Sequence, residues 1–235
     1  VSRPGGSDLE LVIVAAGRGD RLGGGLPKAF VRVKGVELVV RTLRRCASVG
    51  VFDRAVVAVP GDHVEVFRAL VAAHEPWPFA VRAVAGGADR QASVLCCLDA
   101  IAAEDGVVVV HDAARPFASA GVFAGCVDRA RACGAAVAAV RVPDTLKRGA
   151  GARIVGTVDR RALWMVQTPQ AFQLSVLRAA HRRALETGYR GTDDAGLVEW
   201  AGGRVDLVPG ESGNIKITEP GDLLHAERLL EGEAE

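Results

Sequence analysis

The chain has 235 residues, enough for one large α/β domain, with no shift in composition that would divide it. A formal net charge of +1 gives no electrostatic support to a nucleic-acid partner. No apolar run approaches the roughly 20 residues of a membrane span. The opening Val1-Ser-Arg-Pro-Gly-Gly-Ser lacks the apolar core of a signal peptide, so residues 1–8 are expected to form a mobile tail ahead of one domain over 9–235, in the cytoplasm.

The first strand is expected at Leu9–Val14, a mainly aliphatic run of the kind buried on both faces in parallel sheets. Ala15, Ala16, Gly17 and Gly19 follow it. Residues this small let backbone N–H groups approach a ligand, glycine tolerates positive φ, and exposed amides suit an anion. Arg21 and Lys28 add two positive charges on the flanks, able to neutralise phosphate oxygens and a leaving pyrophosphate. A Walker loop does not fit, because Lys28 follows Pro27 and no hydroxyl residue comes next. A dinucleotide fingerprint does not fit either, because Leu22 stands where the third glycine belongs. The plainer alternative is a glycine-rich turn that binds nothing. Gly23-Gly24-Gly25 lengthens this loop, which is expected to order only with nucleotide, and Asp20 is expected to face solvent or Mg²⁺.

Further strands are expected at 56–59, 81–84, 107–110 and 135–140, separated by helical patterns at 37–47, 62–74, 91–103 and 121–132. Regular alternation of this kind implies a doubly wound, mostly parallel sheet, with ligands at the carboxyl ends of the strands. Gly86-Gly87 follows the third strand and permits backbone contact with a flat base, while Ser93 in the next helix can bond the base edge. From this motif alone, a satisfied polar residue at a helix start is an equally good reading. His111-Asp112-Ala-Ala-Arg115-Pro116 follows four valines, and its alanines leave space for a ribose or an acceptor. Asp112 pairing with Arg115 across a turn is the structural alternative.

After Val140 the rhythm breaks. Two short alternating runs around Gly149-Ala-Gly151 predict a long β-hairpin within 141–163, protruding from the sheet. Isolated hairpins are marginal, so this arm is expected to pack on a second subunit. Downstream, Gln167-Thr168-Pro169-Gln170, Thr192-Asp193-Asp194 and Asn214-Ile-Lys216 set polar groups beside apolar anchors. The five cysteines form no C-x-x-C pair and read as small buried apolar residues. The only lysines are Lys28, Lys34, Lys147 and Lys216, and Asn214 is the only asparagine. Among so many arginines, a lysine raises the question of what a compact point charge does there.

Taken in order from Leu11 to the C-terminal helix, these motifs resemble the 2-C-methyl-D-erythritol 4-phosphate cytidylyltransferase family. The residues carrying the resemblance are Ala15-Ala16-Gly17-x-Gly19-x-Arg21 with Pro27-Lys28, Gly86-Gly87 with Arg90 and Ser93, and His111 to Pro116. Asp144-Thr145-x-Lys147, Thr157-Val-Asp159-Arg160, Gln167 to Gln170, Thr192-Asp193 and Asn214-Ile-Lys216 complete it. The resemblance implies a Rossmann-like nucleotidyltransferase fold and a homodimer. It also implies transfer of the cytidylyl group of CTP to methylerythritol phosphate in the non-mevalonate isoprenoid pathway. Arg21, Lys28 and Lys216 would be catalytic. Ala15, Ala16, Gly17, Gly19, Gly87, Ser93, Asp112 and Ala113 would bind the nucleotide, and Thr145, Arg160, Thr168, Thr192 and Arg115 the acceptor. Mg²⁺ would be held mainly through phosphates, with no dedicated protein ligands. An acidic residue is common in that family where this chain has Ala88, with Asp89 one step later. The alternatives are a cytidylyltransferase for another polyol phosphate such as ribitol phosphate, or a non-catalytic nucleotide-binding module.

Overall fold

The computed structural model describes residues 9–19 and 25–232. The readings placed on residues 1–8, Asp20, Arg21, Gly23 and Gly24 therefore lie outside the described residues. In chain order the chain forms β1 (Leu9–Val14), β2 (Arg32–Val33), β3 (Val36–Glu37), α1 (Leu38–Val49), β4 (Arg54–Val59), α2 (Val64–Ala73), β5 (Ala80–Ala85) and α3 (Arg90–Ala100). It continues through β6 (Val107–Asp112), α4 (Ala120–Cys133), β7 (Ala135–Arg141), β8 (Leu146–Ala150), β9 (Arg153–Val158), β10 (Trp164–Gln173), α5 (Leu174–Thr187), α6 (Asp194–Trp200), β11 (Asp206–Pro209) and α7 (Pro220–Gly232).

Seven strands make the central sheet in the order β11-β7-β10-β6-β1-β4-β5, and β10 alone runs antiparallel to its neighbours. Alternate residues along each strand feed two cores. Leu11, Ile13, Val57 and Val109 point to one face, under Leu43, Phe67, Phe123 and Cys126. Val12, Val56, Val108 and Val110 point to the other, under Val94, Leu98, Leu177 and Leu197. This two-sided burial is why the parallel strands read as unbroken valine runs. Glu10 interrupts β1 and is 3% exposed, but its carboxylate meets Arg54 on the paired strand at 2.8 Å. Cys46, Cys97 and Cys126 are buried as expected of small apolar residues, and burial pushes the Cys97 and Cys126 thiols up to about 12.

From β1 the chain steps outward to β4 and β5, then returns to place β6 on the other side of β1. Strand order therefore reverses between β1 and β6, the position at which open α/β sheets form a ligand crevice.

Two expectations need correction, and one strand is unforeseen. His111 and Asp112 are not loop residues: β6 runs on to Asp112, with His111 opposite Ile13 and Asp112 opposite Val14. The helical stretch at 62–74 begins with a 3-10 turn, Gly61–His63, before α2 proper. The sequence pattern does not announce β10 as a strand, because Pro169 and three polar neighbours argue against a central position. The structure accommodates them in a bulge. Val166 faces Ala139 and Gln170 faces Val137, so Gln167, Thr168 and Pro169 together oppose Ala138 alone.

The hairpin forms as expected. β8 and β9 pair antiparallel as a separate two-stranded sheet, turning through Gly151 at φ +58°. Ile154 and Val155 on it are exposed. At its root the Arg141 guanidinium lies 3.9 Å above the Trp164 ring, and Arg141 Nη1 donates to the Arg161 carbonyl at 2.6 Å.

Candidate active site

The loops after β1, β4, β5 and β6 open at one end of the sheet and enclose a cleft of about 1220 Å³. Ala15, Ala16, Gly17, Gly19, Lys28, Gly87, Ser93, Asp112, Ala113 and Lys216, all singled out in the sequence, line it.

The first loop leaves β1 through Ala15, whose N–H still donates to Ala58 O at 2.8 Å. Beyond that point, among the described residues, the amides of Ala16, Gly17 and Gly19 have no backbone acceptor. Their N–H groups are therefore available to an anion. Gly19 has φ +75°, and a Cβ there would lie 2.6 Å from Lys28 Cβ. Glycine is required on both counts, and it lets the loop fold directly against Lys28, which also lines the cleft.

The opposite wall depends on a second close approach. A Cβ on Gly86 would meet Ala16 Cβ at 2.4 Å and Ser93 Oγ at 3.0 Å, so the two loops touch because residue 86 has no side chain. Ser93 is 1% exposed, and its hydroxyl accepts from Gly87 N–H at 3.2 Å and donates to Asp89 O at 2.7 Å. It shapes the loop that would face the base. Asp89, the shifted acidic residue, caps α3 by accepting from Ala92 N–H at 2.8 Å.

On the floor, Lys216 Nζ lies 2.7 Å from Asp112 Oδ2, and Arg90 Nε lies 3.3 Å from Asp112 Oδ1. Burial alone would raise the Asp112 carboxyl, but Arg90 and Lys216 together hold it well below the ordinary carboxylate range. Arg115 is not the partner of Asp112 that a turn would have made it. Its Nη1 donates to Asn214 O at 2.7 Å. Burial pulls the Arg115 guanidinium down, with Asp112 opposing.

His111 is fully buried and holds the floor together. Its Nε2 donates to Arg115 O at 2.9 Å, while Nδ1 accepts from the Thr168 hydroxyl at 3.0 Å; that hydroxyl in turn accepts from Asp112 N–H at 3.0 Å. These bonds use the neutral imidazole, and burial lowers the His111 pKa to about 4. Thr168, expected at the acceptor, thus turns its hydroxyl to the floor from the β10 bulge. Asn214, fully buried, donates from Nδ2 to Gln167 Oε1 at 3.2 Å and to Thr168 O at 2.9 Å. The single asparagine therefore fixes the loop that delivers Lys216.

Thr145 and Arg160 sit on the exposed arm outside the cleft lining, where Arg160 Nη1 donates to Pro143 O. Thr192 is exposed just before α6, and Arg21 falls outside the described residues. Of the remaining lysines, Lys147 bonds Thr157 across the arm and Lys34 pairs with Glu231. Sequence reasoning gave no role to Asp194 or His181, both buried behind Arg90. Asp194 carried a signal, since it stands in the same polar motif as Thr192; His181 carried none.

A family model described as IspD, 2-C-methyl-D-erythritol 4-phosphate cytidylyltransferase, matches residues 9–232. A relative of that name from Bacillus licheniformis is 41% identical over 226 residues, covering 96% of this chain and 97% of the relative. Another of the same name, from Symbiobacterium thermophilum, is 45% identical over 227 residues, covering 96% and 94%. The crystal structure of the enzyme of that name from Thermus thermophilus superposes with a TM-score of 0.77 at 39% identity, covering 94% of this chain and 98% of that one. The chain belongs to the 2-C-methyl-D-erythritol 4-phosphate cytidylyltransferase family.

Proposed function

We propose that this protein joins CTP to 2-C-methyl-D-erythritol 4-phosphate, releasing 4-diphosphocytidyl-2-C-methyl-D-erythritol and pyrophosphate for isoprenoid synthesis in the cytoplasm. The observation that carries the reading is the convergence of Lys28, Lys216, Asp112 and the amides of Ala16 to Gly19 on one cleft at the β1/β6 reversal.

A phosphate monoester is largely dianionic at neutral pH, its second pKa being about 6, so the nucleophile needs no general base. An acceptor phosphate oxygen attacks the α-phosphorus of CTP. The bond from that phosphorus to the oxygen bridging the β-phosphate breaks, and pyrophosphate departs with the electron pair. Negative charge builds on the α-phosphate and on the leaving group, where Lys28, Lys216 and Arg21 neutralise it. The Ala15 to Gly19 loop seats the triphosphate, the Gly86-Gly87 wall shaped by Ser93 takes the cytosine, and Asp112 with Ala113 borders the ribose.

Among the described residues no cluster of three or more His, Cys, Asp or Glu is arranged for a metal, and Asp112 is already shared by two cations. Such a lining would accommodate Mg²⁺ as a guest of the bound triphosphate, where it would supply charge neutralisation. No described helix is long and apolar enough to cross a membrane.

The acceptor is assigned to Thr145, Arg160, Thr192 and Arg115, with Thr168 beneath them. Thr145 and Arg160 do not line their own chain's cleft, and the arm exposes Ile154 at 63% and Val155 at 55%. Both features support a 141–163 arm that crosses a homodimer to complete the partner's acceptor site, and the one central sheet supports a single domain over 9–235. The test is pyrophosphate release with CTP and Mg²⁺, with methylerythritol phosphate or ribitol phosphate as acceptor. Release only with methylerythritol phosphate supports the assignment; release only with ribitol phosphate moves the acceptor; nucleotide binding without release ends the enzymatic reading.

A further inference from the structure

Arg90 has no part in the reaction derived above, yet its guanidinium is divided between two carboxylates. Nη1 lies 2.6 Å from Asp194 Oδ2, while Nε reaches Asp112 Oδ1 only at 3.3 Å. The tighter bond goes to the residue away from substrate. Asp194, fully buried at the start of α6, accepts on its other oxygen from His181 Nε2 of α5 at 3.1 Å, and His181 is 1% exposed. Neither α5 nor α6 contributes a residue to the cleft lining.

The segment leading into Asp194 is clamped along its length. Gln91 Nε2 donates to Tyr189 O at 3.1 Å, and Gln91 Oε1 accepts from Gly191 N–H at 3.0 Å. Gln170 Nε2 donates to Asp193 Oδ2 at 2.8 Å, and Gln170 Oε1 accepts from Ala195 N–H at 3.2 Å. A carboxylate fixed this firmly and aimed at an arginine beside the reacting groups does more than fill space.

We propose that Asp194, oriented by His181, is a positioning residue that draws the Arg90 fork away from Asp112 and so leaves Asp112 to hold Lys216 in the cleft. A guanidinium beside a single carboxylate closes on it with two parallel bonds. Asp194 prevents that closure by engaging Nη1. With Asp194 neutral, Arg90 would close on both Asp112 oxygens and compete with Lys216 for Oδ2, which Lys216 meets at 2.7 Å. This inference rests on the cytidylyltransferase reading, in which Lys216 stabilises charge at the α-phosphate.

The experiment is a double-mutant cycle on the full-length enzyme, with pyrophosphate release read under saturating CTP. Asp194→Asn is expected to lower kcat about 10- to 100-fold while CTP affinity changes less than about threefold. Combined with Lys216→Met, it should lower kcat no further than Lys216→Met alone, because both act through one ammonium. A merely structural role gives multiplying losses, and that result, or a wild-type rate for Asp194→Asn, overturns the inference. Should Asp194→Asn fail to fold, His181→Gln serves in the same cycle, since it removes the group that orients Asp194 toward Arg90. It must likewise be slow and non-additive with Lys216→Met; additivity overturns the proposal. A wild-type enzyme that releases no pyrophosphate defeats the functional reading itself, whereas active wild type with additive cycles defeats only this inference.

Discussion

Lys216 and Asp112 meet at 2.7 Å on the cleft floor, one from the loop before α7 and the other from the last position of β6. In the proposed reaction this pair gives Lys216 a defined station before substrate arrives, so that little reorganisation is needed as charge develops. Lys216→Met is expected to lower kcat by about 10²- to 10³-fold, the usual loss when one preorganised charge-stabilising group is removed. Initial rates of pyrophosphate release check this. A variant keeping more than about half the wild-type rate removes Lys216 from the chemistry.

His111 predicts a pH dependence of stability. Its folded pKa of about 4 lies below the ordinary value of 6.5, so between those values the unfolded chain binds more protons than the native one. Stability from this group is therefore full above about pH 6.5 and is lost as pH falls toward 4, by about 3 kcal/mol in all. Asp112 and Asp194, both depressed, add losses only at pH values below the ordinary carboxylate range. Urea unfolding at pH 7.5 and 4.5 should show this drop, and His111→Gln should show a drop smaller by about that amount. Equal pH dependence in the two proteins contradicts the assignment.

Gly19→Ala places a Cβ at φ +75° and against Lys28 Cβ. A non-glycine residue there costs about 1–2 kcal/mol before the clash is counted. CTP affinity is expected to fall about tenfold or more, with the melting temperature changing little because the loop lies outside the two cores. Calorimetric titration with CTP measures it; unaltered affinity shows that the loop adopts another shape around nucleotide.

If the proposed arm-mediated homodimer forms, Ile154→Asp on the exposed face of the arm is expected to give monomer where the unsubstituted protein gives dimer in sedimentation. It should also raise KM for the acceptor more than for CTP, because Thr145 and Arg160 travel with the arm. A monomeric variant with unchanged acceptor KM separates assembly from the acceptor site.

The glycine loop, Lys28, Asp112 and Lys216 were legible because their residue types follow valine runs or stand out in composition, and the fold brings them to one cleft. The hydroxyls of Ser93 and Thr168 were legible as motif members but not in direction. Both are buried, and a buried hydroxyl must bond something, so they turn to Gly87 and His111. Whether Thr168 faces cleft or floor depends on the β10 bulge, which local pattern does not announce and Pro169 disguises. His181 was beyond reach for a different reason. A lone histidine in an amphipathic helix gives no hint that Asp194, arriving from the next helix, meets it inside the protein.

The bulge in β10 has a consequence for how this scaffold tolerates change. Below it, residues 170–172 are gripped by β6 on one side and β7 on the other; above it, residues 164–166 pair with β7 alone and lead into the arm. Slack in the hairpin is thus absorbed where only one neighbour holds the strand. Insertions or deletions at the arm's tip can accumulate without sliding Thr168 and Gln170 past the floor, which leaves the arm free to diverge while the cleft floor stays in register.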